Sequence, residues 1–377
     1  HVCRRDYKDN EMRINRIALN GFRNYDFETA DFSPGTNVIY GENAQGKTNL
    51  LESVYMLAMG RSFRTRFDRE LIGFGCDRAE ILADIVSHER EQTVRIVMRN
   101  GVRKQITVNA VKKTAGELAG TLTAVLFCPD DLNLIKEGAA ARRRLMDNAI
   151  SQIRPRYAEY LSQFNKFYES KTRILKDWRE KPSLLDTVDE FSDGMCRASA
   201  QLIRYRASFA ARLAEEAAPI HSEFSGAGER LDIEYTTVSS VKDPTASAKE
   251  IYYDLCDHME SHKRAELESG QCLSGAHKDD LVISINGKTA RSFASQGQTR
   301  TAALSIKLAE REIYLDETGE YPILLLDDVL SELDTKRQEF VLNRIGGGQT
   351  LITCCEDEGI SRRTGGKVLH VKNGRIG

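Results

Sequence analysis

The sequence lacks the long apolar runs and the paired cysteine motifs that mark several protein classes. Within its 377 residues no uncharged apolar stretch reaches about 18 residues, the length that a membrane-spanning helix needs. We therefore predict no transmembrane helix. Its eight cysteines form no C-x-x-C pair, so a zinc site is not expected. With no secretory signal, we predict reduced thiols and a cytoplasmic protein.

The chain also lacks a net charge large enough to indicate a partner by itself. Its formal net charge is −2 and its pI is about 6.5, so a nucleic-acid partner must be argued from local basic patches. Residues 1–11 are polar and have no apolar core, which is not the pattern of a signal peptide. We expect residues 1–11 to be a tag remnant or cloning scar, with a natural start at Met12.

Two α/β segments flank a helix-rich stretch. Residues 12–138 hold short strands and one helix, and the Asn100-Gly101 pair predicts a hairpin turn. Residues 139–265 are charged and poor in glycine, and the apolar residues from Leu145 to Leu161 predict one long amphipathic helix. We predict one α/β domain, formed by residues 12–138 and 266–377, and an inserted helical domain formed by residues 139–265.

The strongest motif is a glycine-rich loop between a predicted strand and a predicted helix. It fits G-x-x-x-x-G-K-T, in which backbone N–H groups and the helix N-terminus surround phosphate oxygens. Lys47 is expected to reach the β- and γ-phosphates, and Thr48 to ligate Mg²⁺. We predict an ATP-binding loop made of Gly41, Glu42, Asn43, Ala44, Gln45, Gly46, Lys47 and Thr48.

A second motif is an apolar run, Ile323 to Leu326, that ends in two aspartates. Such a run is typical of a strand that is buried on both faces. Carboxylates at the end of that strand suit a Walker B role beside the glycine-rich loop. We predict that Asp327 holds Mg²⁺ through water and that Asp328 orients the attacking water. Together with Lys47, these two are the predicted catalytic residues.

A third motif, S-x-G-Q, precedes a helix that is predicted to begin near Thr299. A serine hydroxyl, a glycine backbone and a helix dipole all favour an anion, although a plain helix cap is the alternative. In this order, the three motifs resemble the ABC-ATPase family, whose signature touches the γ-phosphate bound by the other subunit. That resemblance implies contacts in trans from Ser295, Gln296, Gly297 and Gln298, and a D-loop with Ser331 and Asp334.

Further segments make the resemblance narrower. Over Met12 to Gly377 the chain resembles the RecF family of bacterial recombination mediators, through residues 20–25, 60–65, 126–132, 142–147 and 274–280. The resemblance implies an SMC-like head with a P-loop core, an antiparallel β subdomain and an inserted helical subdomain. It also implies an ATP-induced homodimer that binds double-stranded and gapped DNA. ATP hydrolysis by this dimer is implied to be slow and to be stimulated by DNA. RecR and RecO are the implied partners in loading RecA during recombinational repair and replication restart.

Departures from the wider ABC pattern favour slow turnover. Asp328 stands where a glutamate is usual, residues 127–131 contain no glutamine, and residues 353–356 contain no histidine. We therefore predict that ATP serves mainly as a dimerisation switch. Two other functions stay open. One is the ATPase subunit of an ABC transporter, which the helical insertion and the missing glutamine and histidine disfavour. The other is a non-catalytic scaffold, which the intact Lys47 and Asp327 disfavour.

Local basic residues are the candidates for DNA contact. They are expected to bind phosphates without reading sequence, in a salt-sensitive manner. The alternative for each is an ordinary solvated surface charge. His277 is interpreted as a structural loop histidine, with a catalytic role as the rarer alternative. The candidates for DNA contact are Arg61, Arg64, Arg142, Arg143 and Arg144.

Overall fold

The structure is a computed structural model that describes residues 11–226, 228–355 and 359–377. The segment predicted to be a tag or cloning scar therefore lies outside the described residues, apart from Glu11. Cys3, one of the eight cysteines, and Glu356, the last residue of the segment 353–356, also lie outside the described residues. Every cysteine within the described ranges is a free thiol.

Strands and helices follow one another along the described chain as follows. The strands are β1 (Arg13–Phe22), β2 (Tyr25–Asp31), β3 (Thr36–Tyr40), β4 (Arg78–Ser87), β5 (Arg90–Arg99), β6 (Val102–Val108), β7 (Val111–Lys113), β8 (Ala124–Phe127), β9 (Leu231–Thr236), β10 (Asp280–Ile285), β11 (Lys288–Thr289), β12 (Ile323–Asp327), β13 (Thr350–Cys354), β14 (Lys367–Lys372) and β15 (Arg375–Ile376). The helices are α1 (Lys47–Met59), α2 (Ala139–Ile153), α3 (Pro155–Asp177), α4 (Val188–Phe224), α5 (Ala248–Ser269), α6 (Ala290–Phe293), α7 (Gln296–Thr318), α8 (Thr335–Arg344) and α9 (Ile360–Thr364). Their contacts divide the chain into two compact units, which meet in sequence at Asn133/Leu134 and Ala302/Ala303.

The first unit contains two six-stranded sheets. In one sheet the order is β15-β14-β3-β13-β12-β8, and the five strands from β14 to β8 run parallel. Every residue of β12 and β13 is buried, as expected for parallel strands that are covered on both faces. The other sheet is antiparallel, with the order β2-β1-β4-β5-β6-β7.

Helix α1 lies in the core of this unit. It begins directly after Gly46 and ends at Gly60, whose left-handed backbone donates its N–H to the Met56 carbonyl at 2.8 Å. Leu50, Leu51 and their neighbours are buried on all sides of the helix rather than along one stripe. The start of α1 is therefore held in place by packing as well as by the loop that precedes it.

The second unit, Leu134–Ala302, combines helices with the three-stranded sheet β11-β10-β9. Strand β9 lies within the stretch that was predicted to be helical, so that prediction is wrong for Leu231–Thr236. The single long helix predicted through Leu145–Leu161 is also wrong. Two helices, α2 and α3, meet at Pro155, because proline has no N–H for a helical hydrogen bond and its ring clashes with the preceding turn.

The second unit also extends further than the predicted helical domain. Its compact part continues past residue 265 to include β10, β11, α6 and the start of α7. Helix α7 begins in this unit and continues into the first one. The predicted boundaries at residues 138 and 265 follow changes of composition. The contacts between residues instead divide the chain at Asn133/Leu134 and Ala302/Ala303.

A buried arginine organises the interior of the second unit. The guanidinium of Arg206, on α4, is 2.8 Å from Asp147 and 2.6 Å from Asp279, and it donates to the Ala276 carbonyl at 2.6 Å. Asp147 and Asp279 belong to the segments 142–147 and 274–280 that carry the family resemblance. These segments therefore have a structural role, since they supply the acceptors for a buried charge.

The predicted fold class is confirmed. A parallel P-loop sheet and an antiparallel sheet share one unit, and a helix-rich insertion interrupts the sequence of that unit. Within the described ranges, no helix combines the length and the apolar composition that crossing a bilayer requires.

Candidate nucleotide-binding site

The glycine-rich loop connects β3 to α1, and two of its glycines are required by the space around them. Gly41 has φ of 155°, and a Cβ there would lie 2.2 Å from the Val371 carbonyl oxygen. Gly46 has φ of 121°, and a Cβ there would lie 2.8 Å from the Asn24 amide nitrogen. A side chain at either position would force the loop to change shape, so both glycines fix the shape of the loop that is predicted to bind phosphates.

Two distant turns hold the tip of this loop. Asn24, between β1 and β2, donates its side-chain amide to the Gln45 carbonyl at 2.8 Å. Gly374, between β14 and β15, donates its N–H to the same carbonyl at 3.0 Å. Tyr25 donates its hydroxyl to the Gly46 carbonyl at 2.9 Å. Residues outside the motif therefore hold the loop in place. The sequence did not predict these contacts: Asn24 and Tyr25 were noted only as part of the family segment 20–25, and Gly374 was not noted.

Lys47 is buried at the first position of α1, and its ammonium is enclosed by the loop. Its Nζ donates to the carbonyls of Gly41 at 2.7 Å and Glu42 at 3.1 Å. The thiol of Cys355, which follows β13, lies 4.0 Å from the same Nζ. Cys355 belongs to the segment 353–356, where a histidine was expected from the ABC pattern, so a cysteine of that segment lies beside Lys47.

Thr48 and Asp327 meet at the end of the parallel sheet. The Thr48 hydroxyl donates to Asp327 Oδ1 at 2.9 Å, and the Thr353 hydroxyl lies 2.9 Å from the same oxygen. Burial raises the pKa of the Asp327 carboxyl, while hydrogen bonds from Thr353 and Thr48 lower it. A hydroxyl and a carboxylate at this spacing form the hard oxygen set that Mg²⁺ prefers. These two residues therefore fit the predicted ion.

Asp328 adopts a backbone conformation that is unusual for a residue other than glycine. Its φ is 50°, its N–H donates to the Thr353 hydroxyl at 2.8 Å, and its carbonyl accepts from Ser331 at 2.6 Å. Its Oδ1 is buried and has no hydrogen-bond partner among the described residues. An unsatisfied buried carboxylate oxygen is costly, and a water or a ligand at this position would satisfy it. Thr353 was not predicted, although it positions both aspartates.

A buried carboxylate links α1 to the family segments on either side of it. Glu52 is fully buried and accepts two hydrogen bonds from Arg23, both at 2.8 Å. Ser62 donates to the same carboxylate at 2.5 Å, and the Arg64 guanidinium lies 3.6 Å away. Arg64 also donates to the Asn49 side chain at 2.7 Å. Arg64, a predicted DNA contact, is therefore tied to the nucleotide-binding helix.

The S-x-G-Q motif forms the N-terminus of α7, which begins at Gln296 rather than near Thr299 as predicted. The Ser295 hydroxyl accepts from the Gln298 N–H at 3.2 Å, and the Gln298 side chain accepts from the Ser295 N–H at 2.9 Å. This reciprocal pair is a capping box. Ser295 and Gln296 are exposed, so the helix N-terminus is accessible to an anion.

The predicted D-loop lies between β12 and α8. Asp334 is the N-cap of α8 and accepts from the Arg337 N–H at 2.9 Å, and it also pairs with the Arg337 guanidinium. These contacts lower the pKa of the Asp334 carboxyl. The segment is therefore fixed by local hydrogen bonds that leave its outer face exposed.

The predicted DNA contacts differ in their exposure. Arg142 is buried, where it pairs with Asp280 at 2.7 Å and donates to three backbone carbonyls. Its guanidinium is not available to DNA, which corrects that prediction. Arg143 is half-buried and donates to the Asp279 carbonyl at 2.7 Å. Arg61 and Arg144 are exposed and stay predictions.

His277 is half-buried within the second unit. Its Nε2 is 2.9 Å from the Cys272 carbonyl, and its ring packs against Tyr168 at 4.7 Å. Burial lowers the pKa of His277 to about 4, which keeps the ring neutral at ordinary pH. These contacts are those of a structural histidine.

This geometry agrees with what the chain is similar to. The family described as "RecF/RecN/SMC N terminal domain" matches residues 13–373. The "DNA replication and repair protein RecF" of Acetivibrio thermocellus is 40% identical over 362 residues, which cover 96% of this chain and 98% of that protein. The protein of the same name from Bacillus subtilis is 37% identical over 371 residues, with 97% and 100% covered.

Solved structures give the same result. The structure of "the recombination mediator protein RecF-ATP in RecFOR pathway" matches with a TM-score of 0.89 and 33% identity, covering 99% of each chain. The Smc head domain of Pyrococcus furiosus, at 16% identity and a TM-score of 0.57, shares the fold alone. The chain belongs to the RecF family of DNA replication and repair proteins, within the wider RecF/RecN/SMC family.

Proposed function

We propose that this protein binds ATP and Mg²⁺ at the loop 41–48 and uses them as a dimerisation switch in DNA repair. The observation that carries the proposal is the meeting of three groups in one unit. Lys47 is enclosed by the glycine loop, Thr48 contacts Asp327 at 2.9 Å, and Asp328 carries an unsatisfied buried oxygen. Phosphates, a metal ion and an attacking water are the ligands that these groups suit. The RecF relative solved with ATP supports the choice of nucleotide.

Two copies of the chain share each nucleotide in this proposal. The γ-phosphate bound by one copy meets the N-terminus of α7 in the other, where Ser295 and Gln296 are exposed and Gly297 allows a close backbone approach. Ser331 and Asp334 lie at the same interface. Hydrolysis is slow, because the side chain of Asp328 is one methylene shorter than that of a glutamate. Hydrolysis of the shared ATP releases the dimer.

The dimer binds double-stranded and gapped DNA in the proposed cycle, and DNA stimulates the hydrolysis of ATP. RecR and RecO act with it in loading RecA at gaps, and the protein works in the cytoplasm at the nucleoid. The RecF names of the relatives and the RecFOR pathway named for one solved structure support this assignment. The relatives of this chain named above do not support the alternative, an ABC-transporter subunit.

Sedimentation with and without MgATP tests the switch. Lys47→Met is expected to abolish ATP binding and ATP-induced association. Gly297→Asp is expected to keep ATP binding and lose association, because the new carboxylate repels a γ-phosphate from the partner. An acidic residue in the first turn of a helix also favours the helix, so Gly297→Asp is expected to fold. ATP-induced dimers of either variant would contradict the shared-nucleotide arrangement.

A further inference from the structure

We propose that the segment between α1 and β4 stacks on unpaired bases beside a DNA duplex, with Phe74 as the contacting residue. The inference rests on the proposed binding of gapped DNA and adds the residue that contacts the unpaired bases. Phe74 is fully exposed, with a relative accessibility of 108%, and Phe67 in the same segment is 56% exposed. An exposed phenyl ring presents a face on which a nucleic-acid base can stack.

Phe74 is presented by a rigid turn. Gly73 donates its N–H to the Gly21 carbonyl at 2.8 Å, and Cys76 closes the turn by donating to the Gly73 carbonyl at 3.0 Å. Gly75, with φ of 79°, supplies the left-handed position of this turn. The ring thus stands at the tip of a turn anchored to the end of β1, so little backbone entropy is lost when a ligand covers it.

Arginines surround this turn at one end of the antiparallel sheet. Arg78 begins β4 and lies directly opposite Arg99, the last residue of β5. Like charges directly opposite each other destabilise a sheet, and a polyanion between them would remove that cost. Arg103 follows at the start of β6. None of these three exposed side chains forms an ion pair with another described residue.

A second part of the segment adds to the same basic surface. The Arg69 guanidinium lies 5.1 Å from the centre of the Phe67 ring. Asp68, beside it, is paired with Lys104 at 2.7 Å, which also fixes the segment against β6. Asp77 and Glu70 are exposed acids here, and the arginines outnumber them.

The combination of cations and phenyl rings favours single-stranded over fully paired DNA. Arginines bind backbone phosphates of either form. A phenyl ring stacks on the face of a base, and in a continuous duplex those faces are covered by neighbouring base pairs. A base next to a gap is uncovered on at least one face. The surface therefore fits the place where a duplex passes into a single strand.

Fluorescence anisotropy on the full-length protein with MgATP tests this inference. The probes are a fully paired duplex without a tail, called the closed duplex, and the same duplex with a single-stranded tail. Phe74→Ala is expected to bind the tailed duplex about tenfold more weakly, or about 1.4 kcal/mol, and the closed duplex within about twofold of wild type. Phe74→Trp is expected to restore the tail preference. Phe27→Ala removes an exposed ring on β2 as the matched control.

A paired arginine variant tests the phosphate contacts. The double variant Arg78→Gln, Arg99→Gln is expected to bind both probes more weakly. The slope of its affinity against salt concentration is expected to fall by the amount that about two phosphate contacts contribute. Equal effects of Phe74→Ala and Phe27→Ala on the tailed duplex would overturn the inference and assign the phenyl rings to a protein partner. Failure of the wild-type protein to bind either probe would instead overturn the proposed DNA-binding function itself.

Discussion

Replacing Glu52 by glutamine tests the buried carboxylate that joins α1 to its flanking segments. Glu52 is fully buried and accepts two hydrogen bonds from Arg23 at 2.8 Å each. Glutamine keeps the shape but removes the charge and one acceptor oxygen. Arg23 would then lose its counter-charge, although its side chain is 19% exposed and keeps some contact with water. Breaking a buried pair costs about 3–5 kcal/mol, so we expect a loss of about 3 kcal/mol in the free energy of unfolding.

Urea unfolding followed by circular dichroism measures this loss, and Glu80→Gln is the matched control. Glu80 pairs with Arg95 at 2.7 Å, but the Arg95 side chain is 48% exposed, and such surface pairs contribute about 0–1 kcal/mol. The comparison is valid if the dependence on urea concentration is unchanged in both variants. Equal destabilisation by the two changes would refute the reasoning, because burial would then make no difference to the cost of removing the charge.

Three further predictions concern single contacts. Thr353→Val leaves the Asp328 N–H without its acceptor and is expected to cost about 2 kcal/mol in urea unfolding. It is also expected to slow ATP hydrolysis more than it weakens ATP binding. Thr353→Ser keeps the hydroxyl and is expected to retain stability and hydrolysis, so equal behaviour of the two variants would contradict this prediction. Burial raises the pKa of Asp327, so the folded state favours the protonated carboxyl. The contribution of Asp327 to the free energy of unfolding is therefore present at low pH and lost as pH rises through the raised pKa. MgATP affinity, measured by calorimetry, should rise over the same pH range. Asp327→Asn should remove that rise. Arg206→Met leaves the buried Asp279 and the half-buried Asp147 without their cation. We expect a cost of about 3–5 kcal/mol in urea unfolding, whereas an unchanged midpoint would show that these ion pairs do not stabilise the unit.

The fold was predictable where one local rule dominates. The glycine loop and the apolar run before Asp327 identify their elements because phosphate cradles and doubly buried strands each need a distinctive composition. The sequence was misleading at Leu231–Thr236, a strand of mixed polarity whose pairing with β10 depends on a segment far along the chain. It was also misleading at Pro155, where an apolar pattern continues across a helix break. Periodicity records which face is buried, and it does not record whether the backbone is continuous.

The contacts of side chains were less predictable than the motifs. Arg142 lies in a basic run that suggests an exposed surface, and burial against Asp280 became visible only in the folded chain. Thr353 could not be selected because a threonine at the end of a strand is common. Its role follows from the parallel register that pairs Thr353 with Asp327 across β13 and β12. Pairing between strands that are distant in sequence is the information that a single sequence does not carry.

The phosphate loop illustrates why the family segments and the ATP motifs belong together. A loop that must accept a triphosphate needs its carbonyls and amides fixed beforehand, because ordering them on binding would reduce affinity. Asn24 and Gly374 hold the Gln45 carbonyl, and Arg23 and Ser62 hold Glu52 on the helix that follows. None of these four residues belongs to the glycine-rich motif 41–48. Changes at them should therefore weaken ATP binding through the loss of this preorganisation, although every residue of the motif itself is intact.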